Sequence, residues 1–213
     1  MSLLARRHWV FDMDGTLTVA VHDFDAIRAE LGLPAGRLIL EALAERPEGE
    51  RRALLMRLDA IELELARTAQ AQPGASRLLA ALRERGARLG ILTRNSRENA
   101  LLTLEASGLG AFFEPDHVLG RDEAEPKPSP AGVLRLLESW RADARSAVMV
   151  GDYRLDLLCG RAAGAVTVYL DPSGRFDFAE LADHRVRRLD ELLLEPLPGH
   201  RPRRGGGGDP LGA

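Results

Sequence analysis

The amino-acid sequence predicts an α/β fold built on a doubly wound parallel sheet. Strands that alternate with helices form parallel sheets covered by helices on both faces. Apolar runs typical of buried strands occupy residues 8–11, 87–93, 146–151 and 165–170, with a weaker one at 117–119. Helical patterns separate them, at 75–85, 96–107, 130–141 and 155–163. The core is therefore expected to be a Rossmann-like sheet.

Glycines mark the ends of three of these helical patterns. Gly86, Gly108 and Gly164 each follow the last residue of a predicted helix. Glycine adopts the left-handed conformation that ends many helices without steric strain. Their positions support the predicted helix boundaries.

One segment breaks the alternation of strands and helices. Residues 18–72 contain no convincing strand but show helical patterns at 24–31, 36–44 and 47–71. We interpret this segment as a small all-helical cap inserted into the core, which comprises residues 1–17 and 73–197. The arginine- and glycine-rich residues 198–213 have too few apolar side chains to pack, so a disordered tail is expected.

The composition is typical of a soluble globular protein. The chain has 213 residues, of which 45% are hydrophobic and 29% charged, and its net charge is −3. This charge gives no general attraction to nucleic acid or to a membrane, so neither is expected as a partner. Cys159 is the only cysteine, which excludes an intramolecular disulfide. With no signal-like start and no long apolar segment, a cytoplasmic monomer or homodimer is expected.

Two pairs of carboxylates follow predicted strands. Asp12 and Asp14 come directly after the first strand. Asp152 and Asp156 follow the strand at 146–151. Because the carboxyl ends of parallel strands share one edge of the sheet, the two pairs are expected to converge. Carboxylates there can attack phosphorus, exchange protons with a leaving oxygen or bind Mg²⁺. A lone Asp-x-Asp is more typical of a turn, and Asp156 also fits a salt-bridged helix acid, whereas a purely structural role fits Asp152 less well.

Polar groups that suit a phosphate lie beside two strand ends. Gly15 favours a tight turn that brings backbone N–H groups close to a ligand. Thr93 ends the second strand, and its hydroxyl lies next to the start of a helix, where anions bind. Arg94 and Asn95 follow it and are expected to contact the leaving group of a phosphate ester. Ser96 also fits a purely structural N-cap, so this motif is weak by itself.

Lys127 is the only lysine among 29 lysines and arginines. It lies between Pro126 and Pro128, just ahead of a predicted helix. Prolines stiffen the backbone, and an ammonium group supplies the compact positive charge that phosphoryl transfer requires. This position favours a functional lysine over an exposed loop residue.

The four motifs FDMDGTLT, ILTRN, EPKPSP and GDYRLD, in this order and spacing, resemble those of haloacid dehalogenase-type hydrolases. The resemblance covers residues 7–171, and the helical segment stands where the phosphoglycolate-phosphatase-like subgroup has a small helical cap. It implies a phosphatase that hydrolyses a small-molecule phosphate monoester through an aspartyl-phosphate.

The resemblance also implies roles for individual residues. Asp12 would be the nucleophile and Asp14 the general acid and base. Thr93 and Lys127 would hold the transferring phosphoryl group, and Lys127 would restrain the acids.

A Mg²⁺ cofactor follows from the same resemblance. Asp12, the backbone carbonyl of Asp14, and Asp152 would bind the ion directly. Asp156 would support the site, either by binding the ion directly or by contacting it through water.

Other reactions of this superfamily fit less well. Dehalogenases lack the second aspartate, which is Asp14 here, and phosphonate-cleaving enzymes carry a cap lysine, which is absent from residues 18–72. A hexose-phosphate mutase remains an alternative, since it would share the nucleophile and the acid. A non-catalytic scaffold that binds a phosphorylated metabolite is a further alternative, although it would need no nucleophile.

The cap is expected to close over the site and to select a small phosphorylated metabolite as substrate. Four polar cap residues could reach such a substrate, but solvated surface positions are the expectation for each. They are His22, Asp23, Asp25 and Arg37.

Overall fold

The computed structural model describes residues 2–194, and the predicted disordered tail, residues 198–213, lies outside this range. The strands are β1 (His8–Phe11), β2 (Arg88–Leu92), β3 (Val118–Leu119), β4 (Ala147–Gly151), β5 (Val166–Leu170) and β6 (His184–Val186). The helices are α1 (Phe24–Glu30), α2 (Ile39–Ala44), α3 (Glu48–Ala66), α4 (Ala75–Glu84), α5 (Arg97–Ala106), α6 (Ala131–Ser139) and α7 (Arg154–Ala162). Within residues 2–194, no helix is long and apolar enough to cross a membrane.

The six strands form one parallel sheet in the order β3-β2-β1-β4-β5-β6. The chain builds outward from β1 to β3 and then returns to add β4, β5 and β6 on the other side. The strand order therefore reverses between β1 and β4, where Trp9 lies opposite Val148. Ligands of such sheets bind beyond the strand ends at this reversal. The predicted α/β fold is confirmed.

Strand β6 is the element that the sequence pattern does not predict. It contains His184 and Arg185 before Val186, and it pairs with β5 alone at the edge of the sheet. An edge strand contacts fewer apolar neighbours than a central one, so it needs no apolar run.

Two hydrophobic layers enclose the sheet, because neighbouring residues of a strand point to opposite faces. Phe11 packs with Leu78 of α4 in one cluster of buried side chains. Val10 packs with Leu136 of α6 in the other. Burial on both faces explains why the central strands are continuous apolar runs.

Helices α1, α2 and α3 form a separate cap with a hydrophobic cluster of its own. Ile27 and Leu31 of α1 pack there with Leu43 of α2 and Leu58 of α3. The three helices lie between the two chain segments that leave and re-enter the core, at Thr18 and Ala71. The domain boundaries at residues 17 and 73 stay a prediction.

Helix α3 ends at Ala66, short of the predicted limit at residue 71. The two chain segments that connect cap and core run side by side here. The Val19 N–H donates to the Gln70 carbonyl, and the Gln72 N–H donates to the Leu17 carbonyl, at 2.9 and 2.8 Å. These hydrogen bonds require extended backbone, so the predicted continuation of the helix to residue 71 is wrong.

A buried ionic contact joins the cap to the core. Arg121, which follows β3, pairs with Asp59 and with both carboxylate oxygens of Glu62 on α3, the latter at 3.1 Å. Asn99 of α5 also donates to Glu62, at 3.4 Å. Burial raises the pKa of Glu62 to about 7, although Arg121 and Asn99 act in the opposite direction. Helix α3 is therefore fixed to the core on this side.

Replacing Glu62 by Gln should flatten the pH dependence of stability. The folded-state pKa of about 7 lies above the ordinary value of 4.5, so the folded protein binds an extra proton between these values. The stability linked to this proton is present at lower pH and is lost as the pH rises through about 7. Between about pH 5 and pH 8, the wild-type unfolding free energy should fall by about 1–3 kcal/mol more than that of Glu62→Gln.

Urea unfolding at the two pH values measures this difference. Glu64→Gln is the matched control, because Glu64 is an exposed acid on the same helix. Its unfolding free energy should change with pH as that of the wild type does. The same change with pH in wild type and Glu62→Gln would contradict the raised pKa.

Candidate active site

A cavity of about 500 Å³ lies between the cap and the carboxyl ends of the strands. Its floor contains the residues that the four sequence motifs predict to converge. They are Asp12 and Asp14 after β1, Thr93 after β2, Lys127 in the loop before α6, and Asp152 and Asp156 after β4. The parallel sheet therefore brings together side chains that are far apart in sequence.

Lys127 lies at the centre of this floor and is 3% exposed. Its Nζ contacts Asp12 Oδ1 and lies 2.6 Å from Asp156 Oδ1. Burial opposes the charge of the ammonium, but the carboxylates of Asp12 and Asp156 raise the pKa of Lys127 above its ordinary value. The ammonium is thus held charged between two acids from different strands.

Three carboxylates form a candidate divalent-cation site. Asp12, Asp152 and Asp156 each offer an oxygen within 4.8 Å of the others. Burial raises the pKa of Asp152 well above its ordinary value, and the charges of Asp12 and Asp156 add to this effect. Because Mg²⁺ prefers a few carboxylate oxygens and keeps several waters, this donor set suits the ion.

The two oxygens of Asp156 already have partners in the protein. Oδ1 faces Lys127, and Oδ2 accepts the Tyr153 N–H at 3.0 Å at the start of α7. Burial raises the pKa of Asp156 to about 6, while Lys127 opposes the shift. Asp156 is therefore anchored more firmly than Asp152, whose oxygens face the turn after β1.

Asp14 lies between the core and the cap. Asn95 Nδ2 donates to its Oδ2 at 2.8 Å, and His22 Nδ1 lies 3.6 Å from its Oδ1. Burial raises the pKa of Asp14, and His22 and Asn95 partly oppose this. A carboxyl group with a raised pKa can keep a proton for a leaving group.

Comparison with known proteins agrees with this geometry. A family model for haloacid dehalogenase-like hydrolases matches residues 7–164. The chain belongs to this family. It is 33% identical over 207 residues to a haloacid dehalogenase-like hydrolase domain-containing protein of Arabidopsis thaliana, covering 87% of this chain and 82% of that one. It is 34% identical over 189 residues to a phosphoglycolate phosphatase of Rhodospirillum rubrum, covering 76% and 78%.

A solved structure shares the fold of this hydrolase. The crystal structure of a hydrolase from Pseudomonas syringae superposes with a TM-score of 0.71 at 24% identity, over 88% of this chain and 96% of that one. The predicted family and fold are confirmed, and the relatives support the predicted phosphatase class.

Gly15 forms the tight turn that the sequence predicts, and the binding of a phosphate by the N–H groups of this turn stays a prediction. Its φ is +83°, and a Cβ there would collide with the carboxylate of Asp152. Its N–H donates to the Thr18 carbonyl at 2.9 Å, so the turn does not present that N–H to a phosphate. Glycine is needed here because the turn passes directly beside Asp152.

Arg94 and Asn95 line the cavity and also make hydrogen bonds within the protein, and their predicted contact with the leaving group stays a prediction. Arg94 donates to the Lys127 carbonyl and to Glu41 of α2, each at 2.6 Å. Asn95 holds Asp14 through its side chain, and its backbone N–H donates to Thr93 Oγ1 at 3.2 Å. Both line the cavity, but their hydrogen bonds order the site and link it to the cap.

His22 contradicts the expectation of a solvated position. Its side chain is only 6% exposed, stacks on Phe24 at 5.4 Å and lines the cavity. The apolar residues before it give no signal of this burial, because Val19 and Val21 are themselves exposed. The expectation of exposure is correct for Asp23, which caps α1, and for Asp25.

Thr16 is a site residue that the sequence motifs did not single out. Its hydroxyl donates to Asp152 Oδ1 at 3.3 Å, and its side chain is fully buried. The strand-end turn of β1 therefore orients an acid that follows β4.

Replacing Asp152 by Asn should stabilise the protein in metal-free buffer. The change removes one of three crowded carboxylates, and the relief of their repulsion should raise the Tm by about 2–4 °C for each kcal/mol gained. Added Mg²⁺ should raise the Tm of wild type but not that of Asp152→Asn. Calorimetry with and without Mg²⁺ measures both effects.

Asp116→Asn serves as the control, because that carboxylate is 98% exposed and distant in sequence from the motifs. It should show the wild-type response to Mg²⁺. An equal Mg²⁺ response in Asp152→Asn would exclude Asp152 from the cation site.

Proposed function

We propose that this hydrolase is a Mg²⁺-dependent phosphatase that cleaves a small phosphate monoester through an aspartyl-phosphate on Asp12. The observation that carries this proposal is the cluster of Asp12, Asp152 and Asp156 on the floor of a capped cavity, where the buried Lys127 pairs with Asp12 and Asp156. A binding scaffold would have no need for so many buried carboxylates at one strand edge, because each costs free energy unless it is paired.

Mg²⁺ fits the donor set of this floor. Asp12 and Asp152 would hold the ion with the backbone carbonyl of Asp14, and Asp156 would orient the cluster from behind. When bound, the ion would neutralise charge on the substrate phosphate. Thr16 and Gly15 would keep the Asp152 carboxylate in place, through a hydrogen bond and through close approach.

The first half of the reaction transfers the phosphoryl group to the protein. A carboxylate oxygen of Asp12 forms a bond to phosphorus while the bond from phosphorus to the ester oxygen breaks. Asp14 donates its proton to that leaving oxygen. Lys127 and Thr93 bind the oxygens of the transferring group, where negative charge must be compensated.

The second half restores the enzyme. Asp14, now ionised, takes a proton from a water molecule, whose oxygen attacks the phosphorus of the aspartyl-phosphate. The bond between phosphorus and Asp12 breaks, and inorganic phosphate leaves. Asn95 keeps Asp14 directed at the reacting groups in both halves, since it holds one carboxylate oxygen from the core side.

The cap limits the substrate to a small phosphorylated metabolite. Helices α1, α2 and α3 cover the floor, so water is largely displaced when a substrate fills the cavity. We further propose a cytoplasmic enzyme, monomeric or homodimeric, that has neither nucleic acid nor membrane as a partner.

Asp12→Asn should abolish turnover without unfolding the protein. An amide is a much weaker nucleophile than a carboxylate, so the rate of phosphate release should fall by at least about 10³-fold. Phosphate release from a panel of phosphorylated metabolites with Mg²⁺ measures activity, and circular dichroism measures folding. A folded variant with the wild-type rate would exclude Asp12 as nucleophile.

Lys127→Arg should lose most of the activity although the positive charge is kept. The ammonium contacts Asp12 and Asp156 in a space where Lys127 is only 3% exposed, and a planar guanidinium cannot reproduce this geometry. A loss on the order of 100-fold in kcat is expected. Unchanged kinetics would show that a point charge is not required.

A further inference from the structure

The cavity above the acids is larger and more apolar than a two-carbon leaving group requires. Its volume is about 500 Å³, within the range of about 300–1,000 Å³ that holds drug-sized ligands. The wall contributed by the cap is mainly hydrophobic. Its hydrophobic members are Phe24, Ile27, Leu38, Ile39, Leu40 and Leu58, beside the polar cap residues His22, Arg28, Arg37 and Glu62.

Two of these side chains are available to a ligand. Phe24 is 52% exposed although it is a large aromatic residue, and its ring stacks on His22. Leu38 is half-buried and belongs to none of the hydrophobic clusters among residues 2–194. Apolar surface that faces a cavity without packing against the protein favours an apolar ligand.

The guanidinium groups that line the cavity are already paired with acids. A carboxylate on the leaving group would therefore find no uncompensated cation among the described lining residues, and burying it would be costly. The ammonium of Lys127 likewise lies between two acids. The guanidinium pairs are Arg28 with Asp25 at 2.5 Å, Arg37 with Glu45 at 2.5 Å, and Arg94 with Glu41 at 2.6 Å.

A few polar atoms of the cavity wall make no hydrogen bond. Both ring nitrogens of His22 and the Nε of Arg28 are buried without a hydrogen bond within residues 2–194. His22 lies beside Asp14, on the path from the reacting phosphate to the cap. Buried polar groups of this kind are normally satisfied, so a ligand that carries a hydroxyl or a carbonyl would complete them.

We propose that the substrate is a phosphate monoester of an uncharged alcohol with an apolar ring or chain. The apolar part lies on Phe24 and Leu38, and a hydroxyl or carbonyl group hydrogen-bonds to His22. The inference rests on the phosphatase function proposed above and adds the class of the alcohol. It distinguishes this hydrolase from a phosphatase that selects a small carboxylate ester.

Three esters with similar alkyl leaving oxygens test the proposal. They are 2-phenylethyl phosphate, ethyl phosphate and 2-phosphoglycolate, each assayed with Mg²⁺ by the release of inorganic phosphate. The kcat/KM for 2-phenylethyl phosphate should exceed that for ethyl phosphate at least tenfold, or about 1.4 kcal/mol. The kcat/KM for 2-phosphoglycolate should not exceed that for ethyl phosphate.

The apolar wall is tested with Phe24→Ala. The ratio of kcat/KM between 2-phenylethyl and ethyl phosphate should fall at least threefold in this variant. Met56→Ala is the matched control, because Met56 is an apolar cap residue that is 68% exposed and lies outside the cavity lining. It should keep the wild-type ratio.

The charge argument is tested by a gain of activity. Glu41→Gln removes the acid that pairs with Arg94 and leaves a guanidinium uncompensated at the cavity wall. The ratio of kcat/KM between 2-phosphoglycolate and ethyl phosphate should rise at least threefold. Any change in cap closure affects both esters and cancels in the ratio.

Binding without turnover provides a second measurement. In Asp12→Asn with Mg²⁺, calorimetry should give a Kd for 2-phenylethyl phosphate at least tenfold lower than that for ethyl phosphate, with a negative heat-capacity change. This comparison does not depend on the rate of the chemical step.

The outcomes separate the two proposals. Equal kcat/KM values for 2-phenylethyl and ethyl phosphate, or a preference for 2-phosphoglycolate, would overturn the uncharged apolar alcohol while leaving the phosphatase function intact. If the wild-type enzyme releases phosphate from no ester in the presence of Mg²⁺, the proposed function itself fails, and the inference fails with it.

Discussion

The arrangement of the core depends on how the acids at the end of β1 and β4 are neutralised. Asp12 and Asp156 are buried and Asp152 is half-buried close to them, and removal from water raises the pKa of each. Lys127 offsets part of this cost because its ammonium lies between Asp12 and Asp156. A divalent cation would offset the rest. Either cation can bind these acids only while the strand ends keep their relative positions. Binding of the cations and formation of the sheet therefore stabilise each other.

Contacts between cap and core extend from this centre. Arg94 donates hydrogen bonds to the carbonyl of Lys127 and to Glu41 of α2, so its guanidinium connects the cavity floor to the cap. Arg121 also fixes α3 to the core, through the buried Glu62 and the more exposed Asp59. Helices α1 and α2 carry or adjoin most of the apolar cavity wall.

The floor and the cap wall of the cavity differ in chemical character. Its floor contains the acids and the ammonium, and the proposed reaction on the phosphate takes place there. Its cap wall contains apolar side chains and arginines that are already paired, and the alcohol of the proposed substrate lies against it. The charge pairing in the wall supports the proposed uncharged leaving group, because selectivity depends on side chains that differ among proteins of one fold.

The sequence by itself determined the parallel sheet, the inserted helices and the convergence of the acids with Lys127. These follow from local periodicity and from the rule that parallel strands end at one edge. The tertiary structure alone decided the edge strand β6, the early end of α3, the burial of His22 and the pairing of Arg94 with Glu41. Each of these depends on a partner far along the chain, and a pattern of neighbouring residues contains no information on which distant group satisfies a hydrogen bond or a charge.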